Sequence, residues 1–117
     1  MKKKILVAED EDDIRLFLKL ILELADFEVI LANDGESCIR TFEEEKPELV
    51  ICDVKMPKLS GLEIYERLKD KTKFIIVSGI VNENDVPKEL VETKRFFLKP
   101  FDPKGFTNRI EEILKNG

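Results

Sequence analysis

Five polar side chains stand where this sequence leaves a short apolar run. Glu9 and Asp10 follow Ile5-Leu6-Val7-Ala8, Asp53 follows Leu49-Val50-Ile51-Cys52, Ser78 follows Phe74-Ile75-Ile76-Val77, and Lys99 follows Phe96-Phe97-Leu98. Three carboxylates, a hydroxyl and an ammonium form a chemically coherent set if the fold brings them together. Clustered carboxylates repel one another and are relieved by protonation or by a hard divalent cation. Mg2+ favours one or two protein carboxylates, retained waters and a phosphate oxygen. A carboxylate can also attack phosphorus and form an acyl phosphate, provided the charge of the transferring group is neutralised. Lys99 offers a point charge for that and Ser78 a hydrogen-bond donor. Asp53 stands alone after its strand and is the candidate nucleophile; Glu9 and Asp10 are the candidate metal ligands. The plain alternative is that Asp53 only opens a turn, and that the five acids Glu9 to Asp13 form a solvated loop whose later members, Asp12 and Asp13, cap the next helix.

The elements that must position these groups are legible from periodicity. Ile5 to Ala8 and Leu49 to Cys52 are continuous in apolar residues, as parallel strands covered on both faces are. Glu28 to Ala32, Phe74 to Val77 and Lys94 to Leu98 read as three further strands. Between them, Ile14 to Ala25 carries Ile14, Phe17, Leu18, Ile21, Leu22 and Ala25 at helical spacing, with a second line of Leu16, Leu20 and Leu24 beside them. That apolar surface is wider than one core contact needs, so its end nearest the acids is a candidate docking surface. Asn33-Asp34-Gly35 turns the chain into a helix with Cys38, Ile39 and Phe42 inward, ending before Pro47; Leu62, Tyr65 and Leu68 mark a third helix. Residues 82–93 are the least regular, and Pro87 limits any fourth helix to a short one. Asp102-Pro103 supplies a cap and first-turn pair for a last helix with Phe106, Ile110, Ile113 and Leu114 facing the core.

Strand and helix alternate five times at spacings too long for hairpins. The fold class is therefore α/β: a doubly wound, five-stranded parallel sheet with helices on both faces and right-handed crossovers, for which the flavodoxin-like order 2-1-3-4-5 is one common solution. In such a sheet Glu9, Asp10, Asp53, Ser78 and Lys99 share the rim at the strands' C-terminal ends. The 117 residues suit one domain, 1–117, with no output domain in the chain. A net charge of -5 argues against nucleic acid or anionic lipid as the main partner. Cys38 and Cys52 lack metal-ligand spacing and read as reduced structural thiols of a cytoplasmic protein. The absence of histidine removes imidazole catalysis and most zinc sites. Residues 5–8 are too short an apolar run for a signal peptide or a membrane span.

These residues together resemble the receiver domain of bacterial two-component response regulators, over essentially the whole chain. The resemblance is carried by Ile5-Leu-Val-Ala-Glu-Asp10, Leu49-Val-Ile-Cys-Asp53 with Met56-Pro57 and Gly61, Ile76-Val-Ser78-Gly79, and Phe97-Leu-Lys99-Pro100-Phe101. It implies Asp53 as phosphoacceptor, Glu9 and Asp10 as the acidic pair holding Mg2+ with Asp53, and the backbone carbonyl of Lys55 as a further ligand. It implies Ser78 as the switch hydroxyl, Phe96 as the switch aromatic, Lys99 as the lysine on the phosphoryl group, and a cis Lys99-Pro100 peptide. The function implied is a phosphorylation-controlled switch or relay fed by a sensor histidine kinase or histidine phosphotransfer protein docked on Ile14 and Phe17, with a downstream protein target and no catalytic turnover. Glu9 departs from the more usual Asp, Ser78 from the frequent Thr, and Phe96 from Tyr. A Mg-dependent phosphohydrolase working through an aspartyl phosphate would need a substrate-recognition lid, for which no long insertion is present. A phosphorylation-independent interaction module would have no need of all five rim residue types.

Overall fold

The computed structural model describes residues 2–79, 83–99 and 101–116. Five strands, β1 (Lys4–Ala8), β2 (Glu28–Ala32), β3 (Leu49–Asp53), β4 (Lys73–Ser78) and β5 (Phe96–Leu98), form one parallel sheet in the order β2-β1-β3-β4-β5. The connecting helices are α1 (Asp12–Leu24), α2 (Gly35–Glu45), α3 (Gly61–Leu68) and α4 (Lys88–Glu92), the last preceded by a 3-10 turn at Glu83–Asp85, and α5 (Pro103–Asn116) closes the order. The expected fold class and strand order both hold.

Two apolar layers sandwich the sheet because alternate strand residues point to opposite faces. Leu6, Ala8, Val50, Cys52, Phe74 and Ile76 pack with Cys38, Phe42, Ile64, Tyr65 and Leu68 from α2 and α3. Ile5, Val7, Leu49, Ile51, Ile75 and Val77 pack with Leu18 and Leu22 of α1 and Phe106, Ile110, Ile113 and Leu114 of α5. Central β3 is buried along its whole length, including Asp53. Burial pushes the Cys38 thiol up to about 12 and the Cys52 thiol well above its ordinary value, so both are inert packing groups, as their sequence setting implies.

Two local expectations need correction, and the excess apolar surface of α1 is located. The first residue before α1 is Glu11, and its side chain makes no capping bond; Asp12 and Asp13 lie inside the first turn, where the helix's positive end favours them, and Asp12 pairs with Arg15. β5 begins at Phe96 and not at Lys94, because Lys94 turns left-handed (φ 58°) and Arg95 N–H closes the end of α4 on the Leu90 carbonyl at 2.7 Å. The second apolar line on α1 is not core: Leu16, Leu20 and Leu24 are 54, 50 and 87% exposed, and Phe17 is 42% exposed. The Asp102 cap does form, its carboxylate accepting from Gly105 N–H at 2.9 Å. Among the described residues no helix is long and apolar enough to cross a membrane.

Candidate functional site

The sheet's register brings the rim residues together. Ala8 lies beside Cys52, Asp53 beside Val77 and Ser78 beside Leu98, so the residues that leave β1, β3, β4 and β5 emerge side by side. Lys99 N–H donates to the Ser78 carbonyl at 2.8 Å, which locks the last two positions to each other. Asp10, Asp53, Lys55, Ser78, Gly79 and Lys99 line one cavity of about 400 Å3 together with Glu11 and Ile14. All five rim residues inferred from the sequence thus meet, with Glu9 just beneath the cavity wall.

Lys99 is the hub. Its Nζ donates to Glu9 Oε1 at 2.7 Å and to Asp53 Oδ2 at 3.1 Å, while Glu9 is fully buried and Asp53 is 6% exposed. Burial pushes the Glu9 carboxyl above its usual range, and its bonds from Lys99 and from Glu11 N–H (3.1 Å) recover only part of the loss. For Lys99, burial works against the ammonium, but the bond to Glu9 and the charges of both carboxylates outweigh it and hold the amine above its ordinary value. One ammonium between two carboxylates leaves a net negative charge, and exposed Asp10 adds another at the cavity mouth.

One oxygen from each of Glu9, Asp10 and Asp53 falls within a 4.8 Å spread. A hard, oxygen-seeking divalent cation fits such a donor set, and the unbalanced charge gives it reason to bind. Ser78 Oγ is buried without a hydrogen-bond partner among the described residues, an arrangement that costs stability unless something in the cavity accepts from it.

Arg15, not singled out in the sequence, and Gly61, which is, build the walls. Arg15 donates from Nη1 to the carbonyls of Glu9 (2.9 Å) and Asp10 (3.4 Å), clamping the acidic loop from below; its spacing from Asp12 on a helix face was the available signal. Gly61 lets α3 start against β3: its N–H reaches the Val54 carbonyl at 2.8 Å, and a Cβ there would lie 2.2 Å from the Asp53 carbonyl oxygen. We expect Gly61→Ala to lower the thermal midpoint by roughly 10 °C, the effect of about 3 kcal/mol of backbone overpacking. A melt followed by circular dichroism checks this, and a shift under 3 °C would show that α3 moves aside freely.

The remaining inferred residues divide by position. Phe96 is half-buried against the layer that holds Tyr65 and Phe74. Ile14 and Phe17 face a second, mostly apolar cavity of about 350 Å3 shared with Lys99 and Phe101, so the first cavity opens sideways onto α1. The Lys99-Pro100 peptide lies outside the described residues.

Known proteins match this arrangement throughout. Residues 5–111 fit the family model of the response regulator receiver domain. The chain is 36% identical to the alkaline phosphatase synthesis transcriptional regulatory protein PhoP of Bacillus subtilis over 98% of its own length and 50% of that protein. It is 37% identical to the probable transcriptional regulator ycf27 of Cyanophora paradoxa over 97% of the chain and 49% of the relative. It therefore spans about half the length of the curated relatives it matches. A crystal structure of a response regulator receiver domain protein from Clostridium thermocellum superimposes with a TM-score of 0.85 at 29% identity, covering 97% of this chain and 95% of the other. With its strand order, rim chemistry and sequence matches in agreement, the chain belongs to the response regulator receiver domain family of two-component systems.

Proposed function

We propose that Asp53 is the phosphoacceptor of a two-component switch, and that residues 1–117 act as a single receiver unit in the cytoplasm. The observation that carries this reading is the convergence of Asp53, Lys99 and the Ser78 hydroxyl, unpartnered among the described residues, on one cavity. A carboxylate oxygen of Asp53 attacks phosphorus, the bond from phosphorus to the donor's nitrogen breaks, and the leaving imidazole keeps the electron pair and takes up a proton. Lys99 and Ser78 then have new acceptors on the phosphoryl oxygens, and Phe96 follows the shift of the rim. Asp10 and Asp53, the Lys55 carbonyl and Glu9 would hold Mg2+, whose contribution when bound is to neutralise charge building on the phosphoryl oxygens. The chain turns over no substrate of its own; it is modified stoichiometrically and promotes its own loading and release.

A sensor histidine kinase or a histidine phosphotransfer protein is the proposed donor, docking over Ile14 and Phe17, where the acidic cavity meets the apolar one. Both PhoP and ycf27 are named as transcriptional regulators, which supports a downstream output controlled by this unit. The test is incubation with Mg2+ and acetyl phosphate or beryllofluoride, with and without a chelator, read by intact mass or 19F NMR. One base- and hydroxylamine-labile phosphoryl group per chain, present only with divalent cation, is the expected result. Phosphate release so fast that no adduct accumulates would instead indicate a phosphohydrolase, and neither adduct nor release an interaction module.

A further inference from the structure

Residues 86–95, on the way from Ser78 to Lys99, are anchored from their two flanking helices. The helix among them, α4, has five residues, too few to be stable by itself, and Pro87 at its start provides no side-chain cap. Leu90 within it and Val86 before it are buried. Among the described residues, side chains of both neighbouring helices tie it in place. On one side Arg109 of α5 donates to the carbonyls of Thr93 and Lys94, just past the helix end. On the other side Tyr65 Oη of α3 donates to Glu89 Oε1 at 2.7 Å.

The Tyr65 tie refers α4 back to the acceptor. Tyr65 is 5% exposed and sits edge-on against Phe74 at 5.3 Å, so its ring has one setting. The start of α3 is seated on the acceptor strand through Gly61. The far ends of the α4 stretch, by contrast, are Ser78 and Lys99, coupled to each other by one backbone bond. Lys99 Nζ already reaches Asp53 at 3.1 Å, so it is Ser78, whose hydroxyl has no partner among the described residues, that turns toward a group on Asp53; movement passed from there into α4 would cross the Tyr65–Glu89 bond. A 2.7 Å hydrogen bond does not survive a displacement of 1 Å or so. Burial and the bond to Glu89 raise the Tyr65 hydroxyl's pKa, and the same bond lowers that of Glu89, both consistent with a bond that favours the ionised carboxylate.

We infer that Tyr65 and Glu89 form a latch that holds α4 in the resting position and opposes loading of Asp53. Tyr65 is in this sense a positioning residue: it touches no reacting atom and acts through α4. The inference rests on Asp53 being the acceptor. It predicts a sign that ordinary damage does not produce, because weakening a resting-state bond favours the loaded state.

The test uses the full chain with Mg2+ and beryllofluoride. Tyr65→Phe and Glu89→Ala are each expected to bind beryllofluoride roughly fivefold tighter than the parent chain, the double variant no tighter than either, and Glu89→Gln within about twofold of the parent, since its amide oxygen still accepts. Without ligand, amide exchange over residues 88–95 is expected to accelerate in Tyr65→Phe and Glu89→Ala and not in Glu89→Gln. Glu89 is exposed, so Glu89→Ala carries the test even if Tyr65→Phe folds poorly. Unchanged or weaker binding by Glu89→Ala, or unchanged exchange, would overturn the latch while the parent still binds. Failure of the parent chain itself to bind would instead remove the acceptor reading, and the latch with it.

Discussion

Asp53→Ala is expected to lose phosphoryl acceptance completely while keeping the fold and nearly all of its stability. The two outcomes follow from the same geometry. Asp53 carries the nucleophilic oxygen proposed above, and Glu9, the other buried carboxylate at the site, has both oxygens committed, one to Lys99 at 2.7 Å and one to Glu11 N–H at 3.1 Å. Asp10 is the carboxylate left to compete, and it is exposed at the cavity mouth instead of lying against Lys99. For stability, the substitution leaves Lys99 with Glu9, a one-to-one pair in place of one ammonium shared by two carboxylates. The lost bond is offset by relief of repulsion, so the change should stay within about 1 kcal/mol. Adduct mass after acetyl phosphate treatment and a thermal melt measure the two halves separately. A variant that still gains one phosphoryl group would move the acceptor elsewhere.

Lys99→Ala should do nearly the reverse. Removing the amine strands Glu9, which has no exposure to water, beside Asp53 and within reach of Asp10. Breaking one partner from a buried pair costs about 3–5 kcal/mol, and the open cavity beside Asp53 places this case at the lower end. The deficit should depend on pH with a definite sign. Glu9 is already pushed above its usual range by burial, and without Lys99 it rises further. A carboxyl whose folded pKa exceeds its unfolded value weakens the fold as it ionises, so the deficit should be small in acid and grow as pH climbs through the raised value. Divalent cation affinity should increase, because a competing positive charge is gone. Affinity for beryllofluoride should still fall about 10- to 100-fold, the worth of one charge-assisted hydrogen bond. Urea melts across pH and a Mn2+ titration followed by EPR would settle both; a variant as stable as the parent at neutral pH would show that Glu9 finds another partner.

Much of this was visible in the residues alone, for reasons that differ from place to place. The strands announced themselves because central parallel strands must be apolar on both faces, and the rim followed because each run stops at a polar residue. Pairing could not be read that way. That Lys99 reaches Glu9 as well as Asp53 depends on register and on the extra methylene of Glu9, which no pattern encodes. Arg15 reads from the sequence only as a partner for Asp12 on a helix face, since its value lies in backbone carbonyls that only the loop's shape presents. Leu16, Leu20 and Leu24 show a different limit: periodicity marks them as apolar but cannot say which arc of an over-wide face meets the sheet. In α1 that arc is taken by Leu18 and Leu22.

The exposed line on α1 has a consequence for energetics as well as contact. Four large apolar side chains kept in water hold an ordered hydration layer whose release carries a heat-capacity signature. Whatever comes to rest on that helix will therefore bind with an enthalpy that grows more favourable on warming, and with an affinity strengthened by sulfate. Binding confined to the acidic rim would instead weaken as ionic strength rises.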